Sequence, residues 1–127
     1  MVKKFQVQFK FMFGFGKKNK YDVSVVEAYD LIVENRSNPK FIVLDVRTPQ
    51  EFEESRIENA LNLDYHSNSF EAEISKLNRD DKYLVYCRSG RRSSNVVKLM
   101  DKLGFKDVKN MQGGITKWTN KGLPVKF

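Results

Sequence analysis

The chain begins with a period-two alternation in which Phe5, Val7, Phe9, Phe11, Phe13 and Phe15 stand between Gln6, Gln8, Lys10, Met12 and Gly14. Successive side chains of a strand point to opposite faces, so this stretch reads as a β-strand with one aromatic face. Such a strand could extend a sheet edge, pair across a homodimer or lie on a membrane surface. Two readings compete with it. Met1-Val2-Lys3-Lys4 could be the charged start of a secretory signal, against which stand Gln6, Gln8, Lys10 and the lack of a small-residue cleavage site. A start at Met12 would make the segment incidental.

From Ser24 the pattern changes to helices alternating with short apolar runs. Ser24-Val25-Val26-Glu27 is a capping box that opens a helix to about Asn35, and Pro39 ends the connection. Phe41 to Asp45 is an apolar run of the kind buried in a parallel sheet. Thr48-Pro49-Gln50-Glu51 is a second capping box, with proline at the first helical position. Ala60 to Leu63 reads as a short strand, Phe70 to Leu77 as a helix and Lys82 to Tyr86 as the central strand. Ser93 to Leu103 follows as a helix ended by Gly104, then Val108 to Met111 as the last strand and Ile115 to Thr119 as a final short helix. This order predicts an α/β domain: a mainly parallel central sheet, helices on both faces and a ligand site outside the C-terminal strand ends. Asp45 and Cys87 both fall at such ends.

Composition narrows the picture. A chain of 127 residues with 40% hydrophobic content builds one core. Its net charge of +7 is unevenly placed: residues 1–20 hold six lysines and no acid, leaving 17 basic and 16 acidic residues, a balance of +1, for the rest. The chain therefore divides into a basic, phenylalanine-rich extension, residues 1–20, and a domain, residues 21–127. A near-neutral domain lacks the basic stripe of a nucleic-acid-binding body. No run of about 18 apolar residues suggests a membrane span. One cysteine excludes an intramolecular disulfide and an internal resolving thiol, and a lone reactive thiol suits a reducing compartment, so the cytoplasm is the expected location. One cysteine and one histidine make no metal-ligand cluster, and no cofactor is expected.

That one cysteine carries the candidate chemistry. Cys87 closes the run Tyr83-Leu84-Val85-Tyr86 and opens the turn Arg88-Ser89-Gly90-Arg91-Arg92 before a helix. There it faces unpaired N–H groups and the positive end of a helix dipole, which stabilise a thiolate and lower a cysteine pKa from about 8.5 into a range of about 3.5 to 7.5. A cysteine ending a core strand is often a small buried hydrophobe. Three arginines within the next five residues ask for another purpose, because cations at a helix start oppose the dipole and would serve to attract an anion. Loop length separates the possible chemistries. Tyrosine phosphatases and low-molecular-weight arsenate reductases place arginine sixth after the cysteine, in a loop that cradles a tetrahedral oxyanion. Here the sixth residue is Ser93 and Arg92 is the fifth, so the ring of amides is one residue short and suits a thiolate bearing one extra sulfur.

Cys87-Arg88-Ser89-Gly90-Arg91-Arg92-Ser93 resembles the active-site loop of the rhodanese family, the single-domain sulfurtransferases. Leu44-Asp45-Val46-Arg47-Thr48-Pro49-Gln50-Glu51-Phe52 is similar to that family's upstream motif, and Gly113-Gly114-Ile115-Thr116-Lys117-Trp118 to its terminal one, framing about residues 22 to 125. The chain departs at Ser55-Arg56-Ile57-Glu58-Asn59-Ala60, where the family usually has Gly-His-Ile and then Gly-Ala. Asparagine tolerates left-handed backbone geometry, so Asn59 can replace the glycine. Arg56 replaces a histidine that the family packs beside the upstream motif.

The resemblance implies a rhodanese-like three-layer fold and a ping-pong transfer. Cys87 would take the outer sulfur of an anionic, thiosulfate-like donor, drawn in by Arg88, Arg91 and Arg92, and hold it as a persulfide on the loop amides of residues that include Ser89 and Gly90. Cyanide, or a small or protein thiol, would accept it. A phosphatase, an arsenate reductase or a non-catalytic interaction module are the alternatives. Asp45 and Glu51 read as structural, holding Arg47 and nearby backbone, since thiolate attack on sulfur needs no general base. His66 reads as a solvated loop residue, and Trp118 with Gly113-Gly114 as core packing and a tight turn beneath the loop.

Overall fold

The computed structural model describes residues 19–127, so the alternation at Phe5–Phe15 lies outside the described residues. Two reciprocal caps set the first helices. Ser24 Oγ accepts from the Glu27 N–H at 3.0 Å while the Glu27 carboxylate accepts from the Ser24 N–H at 2.8 Å, opening α1, Val25–Glu34. Thr48 and Glu51 repeat the arrangement at α2, Pro49–Glu54. Each box satisfies donors that a helix start leaves orphaned. The remaining helices are α3, Phe70–Ser75, α4, Arg91–Lys102, and α5, Gly114–Asn120.

The strands β1, Asp22–Val23, β2, Phe41–Asp45, β3, Leu61–Asn62, β4, Lys82–Tyr86, and β5, Asp107–Met111, form one sheet in the order β1-β5-β4-β2-β3. Every pairing between them is parallel. On one face Leu44, Val46, Tyr83, Val85 and Val108 pack against Phe70 and Ile74 of α3 and Val96, Val97 and Met100 of α4. On the other, Val43, Leu84, Tyr86 and Met111 meet Val25 and Ala28 of α1 and Ile115 and Trp118 of α5. Both faces are covered, which is why the central strands β2 and β4 carry the continuous apolar runs Phe41–Leu44 and Tyr83–Tyr86. The result is the parallel α/β sheet that the alternation of elements predicts, in the three-layer form that the resemblance implies. Among the described residues no helix is long and apolar enough to cross a membrane.

Two helix boundaries differ by two residues from the expectation, each for a local reason. Helix α4 starts at Arg91, not Ser93, because Gly90 adopts φ 105° and reverses the chain early, putting both arginines into the first turn. Helix α3 ends at Ser75, not Leu77: Lys76 and Leu77 donate to the carbonyls of Glu73 and Ile74, three residues back, so the last turn tightens out of α geometry. Strand β1 has no signal in the sequence, since two residues carry no periodicity. Asn59 does take the left-handed conformation, at φ 68°.

Register brings the site together. Asp45 pairs with Tyr86, and Val85 with Asn110, so Asp45, Cys87 and Asn110 share the C-terminal end of the sheet. Asp22 pairs with Asn110 on the neighbouring strand and reaches the same end.

Candidate active site

Cys87 is the first residue past β4 and is 1% exposed. The loop that follows is held from behind. The N–H groups of Ile115 and Thr116, in the first turn of α5, donate to the carbonyls of Cys87 and Arg88 at 2.9 and 3.1 Å. Only glycine permits that approach: a β-carbon at Gly114 would fall 2.2 Å from the Arg88 carbonyl oxygen and 2.6 Å from that of Cys87. With its first two carbonyls occupied on the outside, the loop turns N–H groups inward. Cys87 Sγ accepts from the Gly90 N–H at 3.1 Å and from the Ser93 N–H at 3.4 Å, and Ser93 Oγ lies 3.4 Å away.

These contacts decide the state of the thiol. Burial pushes it up, because a charged sulfur loses water. The Ser93 hydroxyl and the N–H groups of Ser93, Gly90 and Ser89 pull the other way and together hold it below its ordinary value. The donors stabilise the charged form, and the Ser93 N–H is one of the orphans of the α4 first turn.

The arginines divide into two kinds. Arg92 is tied across the site to Glu51, its two terminal nitrogens 3.0 and 3.1 Å from the two carboxylate oxygens. Arg88 and Arg91 are exposed and have no ion-pair partner among the described residues. Arg92 therefore joins α4 to α2, while the other two point charge at solvent beside the thiol loop. Glu51 also accepts from the Thr48 N–H at 3.0 Å. It does not hold Arg47: that guanidinium runs back to Asp45, donating from Nη2 at 2.7 Å and from Nε at 3.1 Å to both oxygens. Asp45 and Arg47 are 0% and 4% exposed, and Arg47 also donates to the Ser55 carbonyl at 2.6 Å, fixing the end of β2 to the end of α2. Arg56 stacks over Phe52 at 5.1 Å and donates to the Phe52 carbonyl at 3.3 Å, placing a cation at the C-terminus of α2, where the helix dipole favours one.

His66 is exposed and packs edge-on against Tyr65, with no hydrogen bond or ion pair to Cys87. Sequence reasoning missed three polar residues. Ser93 is fully buried, its hydroxyl 2.6 Å from Asn110 Oδ1, and Asn110 Nδ2 donates to Asp22 Oδ1 at 2.8 Å. The available signal was the alternation in Val108-Lys109-Asn110-Met111, which sets Asn110 on the face of the strand opposite Lys109 and Met111.

Comparison with known proteins agrees with this arrangement. The sequence profile described as Rhodanese-like domain matches residues 26–121. A protein named sulfurtransferase from Allochromatium vinosum is 34% identical over 84 residues, 66% of this chain and 77% of its own. One named thiosulfate sulfurtransferase 16, chloroplastic, from Arabidopsis thaliana is 32% identical, covering 82% of this chain and 91% of its own. Among solved structures, a rhodanese-related protein from Thermoplasma volcanium superposes with a TM-score of 0.69 at 31% identity, over 84% of this chain and 97% of its own.

Proposed function

This chain belongs to the family of rhodanese-like domains, and we propose that it moves a sulfane sulfur from an anionic, thiosulfate-like donor to a nucleophilic acceptor through a persulfide on Cys87. Sulfur transfer is the activity that the relatives' names support for the family; donor, acceptor and covalent intermediate are our reading of the site. The observation that carries it is the cradle around Cys87 Sγ: inward N–H donors from Gly90 and Ser93 in a loop too short for the oxyanion enzymes.

The steps follow from those groups. The Cys87 thiolate attacks the outer sulfur of thiosulfate, a new S–S bond forms, the bond to the sulfonate breaks, and sulfite leaves with its electron pair. The loop N–H groups then face the charged terminal sulfur, as amides face an oxyanion elsewhere. Cyanide in an assay, or a small or protein thiol in the cell, attacks that sulfur and returns the Cys87 thiolate. Exposed Arg88 and Arg91 raise the local concentration of an anionic donor. Arg92, engaged with Glu51, shapes the loop and acts on the donor through its position. A lone thiol nucleophile also favours a reducing compartment, and the cytoplasm is part of the proposal.

The test is thiocyanate production from thiosulfate and cyanide by wild type and Cys87→Ser. Turnover in the wild type, lost in the variant while the circular dichroism spectrum is unchanged, supports the proposal. Turnover retained by Cys87→Ser, or hydrolysis of an aryl phosphate or reduction of arsenate in place of sulfur transfer, contradicts it.

A further inference from the structure

Asp22, Asn110 and Ser93 form a hydrogen-bonded line that ends on the reactive sulfur, and the chemistry of its far end determines where each proton lies. A carboxylate oxygen accepts, so the Asn110 atom 2.8 Å from Asp22 Oδ1 is the amide nitrogen. The amide oxygen must then face Ser93, 2.6 Å from its hydroxyl. A carbonyl oxygen only accepts, so the single proton of that hydroxyl points at Asn110 and the lone pairs of Ser93 Oγ point at Cys87 Sγ, 3.4 Å away. In this state Ser93 can accept from a thiol S–H. It donates to a thiolate only by turning its proton away from Asn110.

Strand β1 exists in the form that delivers Asp22. The Asn110 N–H donates to the Tyr21 carbonyl at 2.8 Å and the Gln112 N–H to the Val23 carbonyl at 2.9 Å. The Tyr21 hydroxyl donates to Asp101 of α4, and Lys20 pairs with the same carboxylate at 3.5 Å. Asp22 thus reaches the site from β1, at the edge of the sheet.

Resting on the reading of Cys87 as the sulfur-transfer nucleophile, we infer that Asn110, oriented by Asp22, is a positioning residue that competes with the Cys87 sulfur for the one hydroxyl proton of Ser93. The protonated thiol is the partner when that proton lies on Asn110. When the thiol proton leaves to solvent, the hydroxyl rotates about its Cβ–Oγ bond and donates to the charged sulfur, and the contact with Asn110 is given up. No bond other than the thiol S–H breaks. Ser93 and Asn110 therefore act on thiol acidity with opposite signs. Losing the Ser93 hydroxyl removes a donor from the thiolate; losing the Asn110 acceptor makes the hydroxyl a standing donor to it.

Among the described residues, the charged and titratable groups on the elements that frame the thiol include Arg88, Arg91 and Arg92 on its own loop and α4, Asp45, Arg47 and Glu51 from the end of β2 to α2, Tyr86 before it on β4, Lys117 of α5, and Asp22 beyond Asn110, with Lys20, Tyr21 and Asp101 holding β1. All except Asp22 are untouched by the variants that test the idea.

The experiment is the pH profile of Cys87 alkylation by iodoacetamide in the full chain, with circular dichroism and thermal melting of each variant. Ser93→Ala should raise the midpoint by about one pH unit, the size of a weak hydrogen bond to a charged group. Asn110→Leu and Asp22→Ala, the latter by freeing the amide to flip and donate to Ser93, should each lower it by about half a unit. Both effects should vanish in the Ser93→Ala background, so that each double variant matches Ser93→Ala alone. A midpoint unmoved or raised in Asn110→Leu and Asp22→Ala overturns the inference, as does a shift that survives without the hydroxyl, which would be a through-space effect of the Asp22 charge. A merely structural role would lower the melting temperature and leave the midpoint in place. If buried Asn110→Leu fails to fold, Asp22→Ala at the sheet edge carries the same prediction. Wild-type sulfur loading from thiosulfate is measured alongside: its failure removes the sulfur-transfer reading, while the alkylation midpoints still decide the proton competition.

Discussion

Replacing Glu51 by glutamine takes a charge out of the contact that joins α2 to α4. The carboxylate holds both terminal nitrogens of Arg92 at 3.0 and 3.1 Å and accepts from the Thr48 N–H at 3.0 Å. Hydrogen bonding from Arg92, opposed by burial and helped by Thr48, lowers the Glu51 pKa from 4.5 to about 2. The distance from 4.5 to about 2 corresponds to about 3 kcal/mol of differential stabilisation. The two side chains are 19% and 22% exposed, so solvent screening trims this to about 2–3 kcal/mol. The sign follows from the direction of the shift. A carboxylate whose folded pKa lies below its unfolded one contributes in full above about pH 4.5 and loses the contribution as pH falls toward about 2. Glutamine keeps the shape and does not titrate in that range. Urea denaturation of wild type and Glu51→Gln at stepped pH should therefore give a stability gap of about 2–3 kcal/mol at pH 7 that closes between about pH 4.5 and 2. A gap below about 0.5 kcal/mol at pH 7, the level of an ordinary surface pair, or one that stays constant down to about pH 2, would refute the reasoning.

Gly114→Ala places a β-carbon 2.2 Å from the Arg88 carbonyl oxygen, so the loop must move by about an ångström, and kcat/KM for sulfur transfer should fall about 100-fold; unchanged turnover would show that the loop is not clamped from behind. Arg88→Ala and Arg91→Ala should raise the donor KM in steady-state assays at low salt with kcat little changed and the melting temperature nearly constant, whereas Arg92→Ala should destabilise the fold by about as much as Glu51→Gln; equal behaviour of all three arginines would contradict the division between free and paired guanidinium groups.

The parts of the fold legible in the sequence were those written in neighbouring residues. The boxes at Ser24–Glu27 and Thr48–Glu51 are signals four residues long, and each structural cap closes within its own box. The runs Phe41–Asp45 and Lys82–Tyr86 are long enough to read as buried parallel strands. The Cys87 loop was equally local, since the Gly90 and Ser93 donors lie three and six residues from the sulfur. What the sequence hid is what the fold brings from afar. Glu51 finds Arg92, 41 positions away, because β2 and β4 are neighbours, while Arg47, four positions away, turns back to Asp45. Asn110 meets Asp22 across 88 positions through a strand of two residues, too short to show a period. The start of α4 depended on a left-handed Gly90, which turned Arg91 and Arg92 into the first helical residues.

The central claim is that Cys87 carries sulfur, and intact mass measures it directly. The protein is incubated with thiosulfate, desalted and weighed before and after a reductant, beside Cys87→Ser. A reductant-sensitive gain of about one sulfur atom in the wild type, absent in the variant, is the outcome this account predicts. No gain in a protein whose Cys87 is readily alkylated would contradict it.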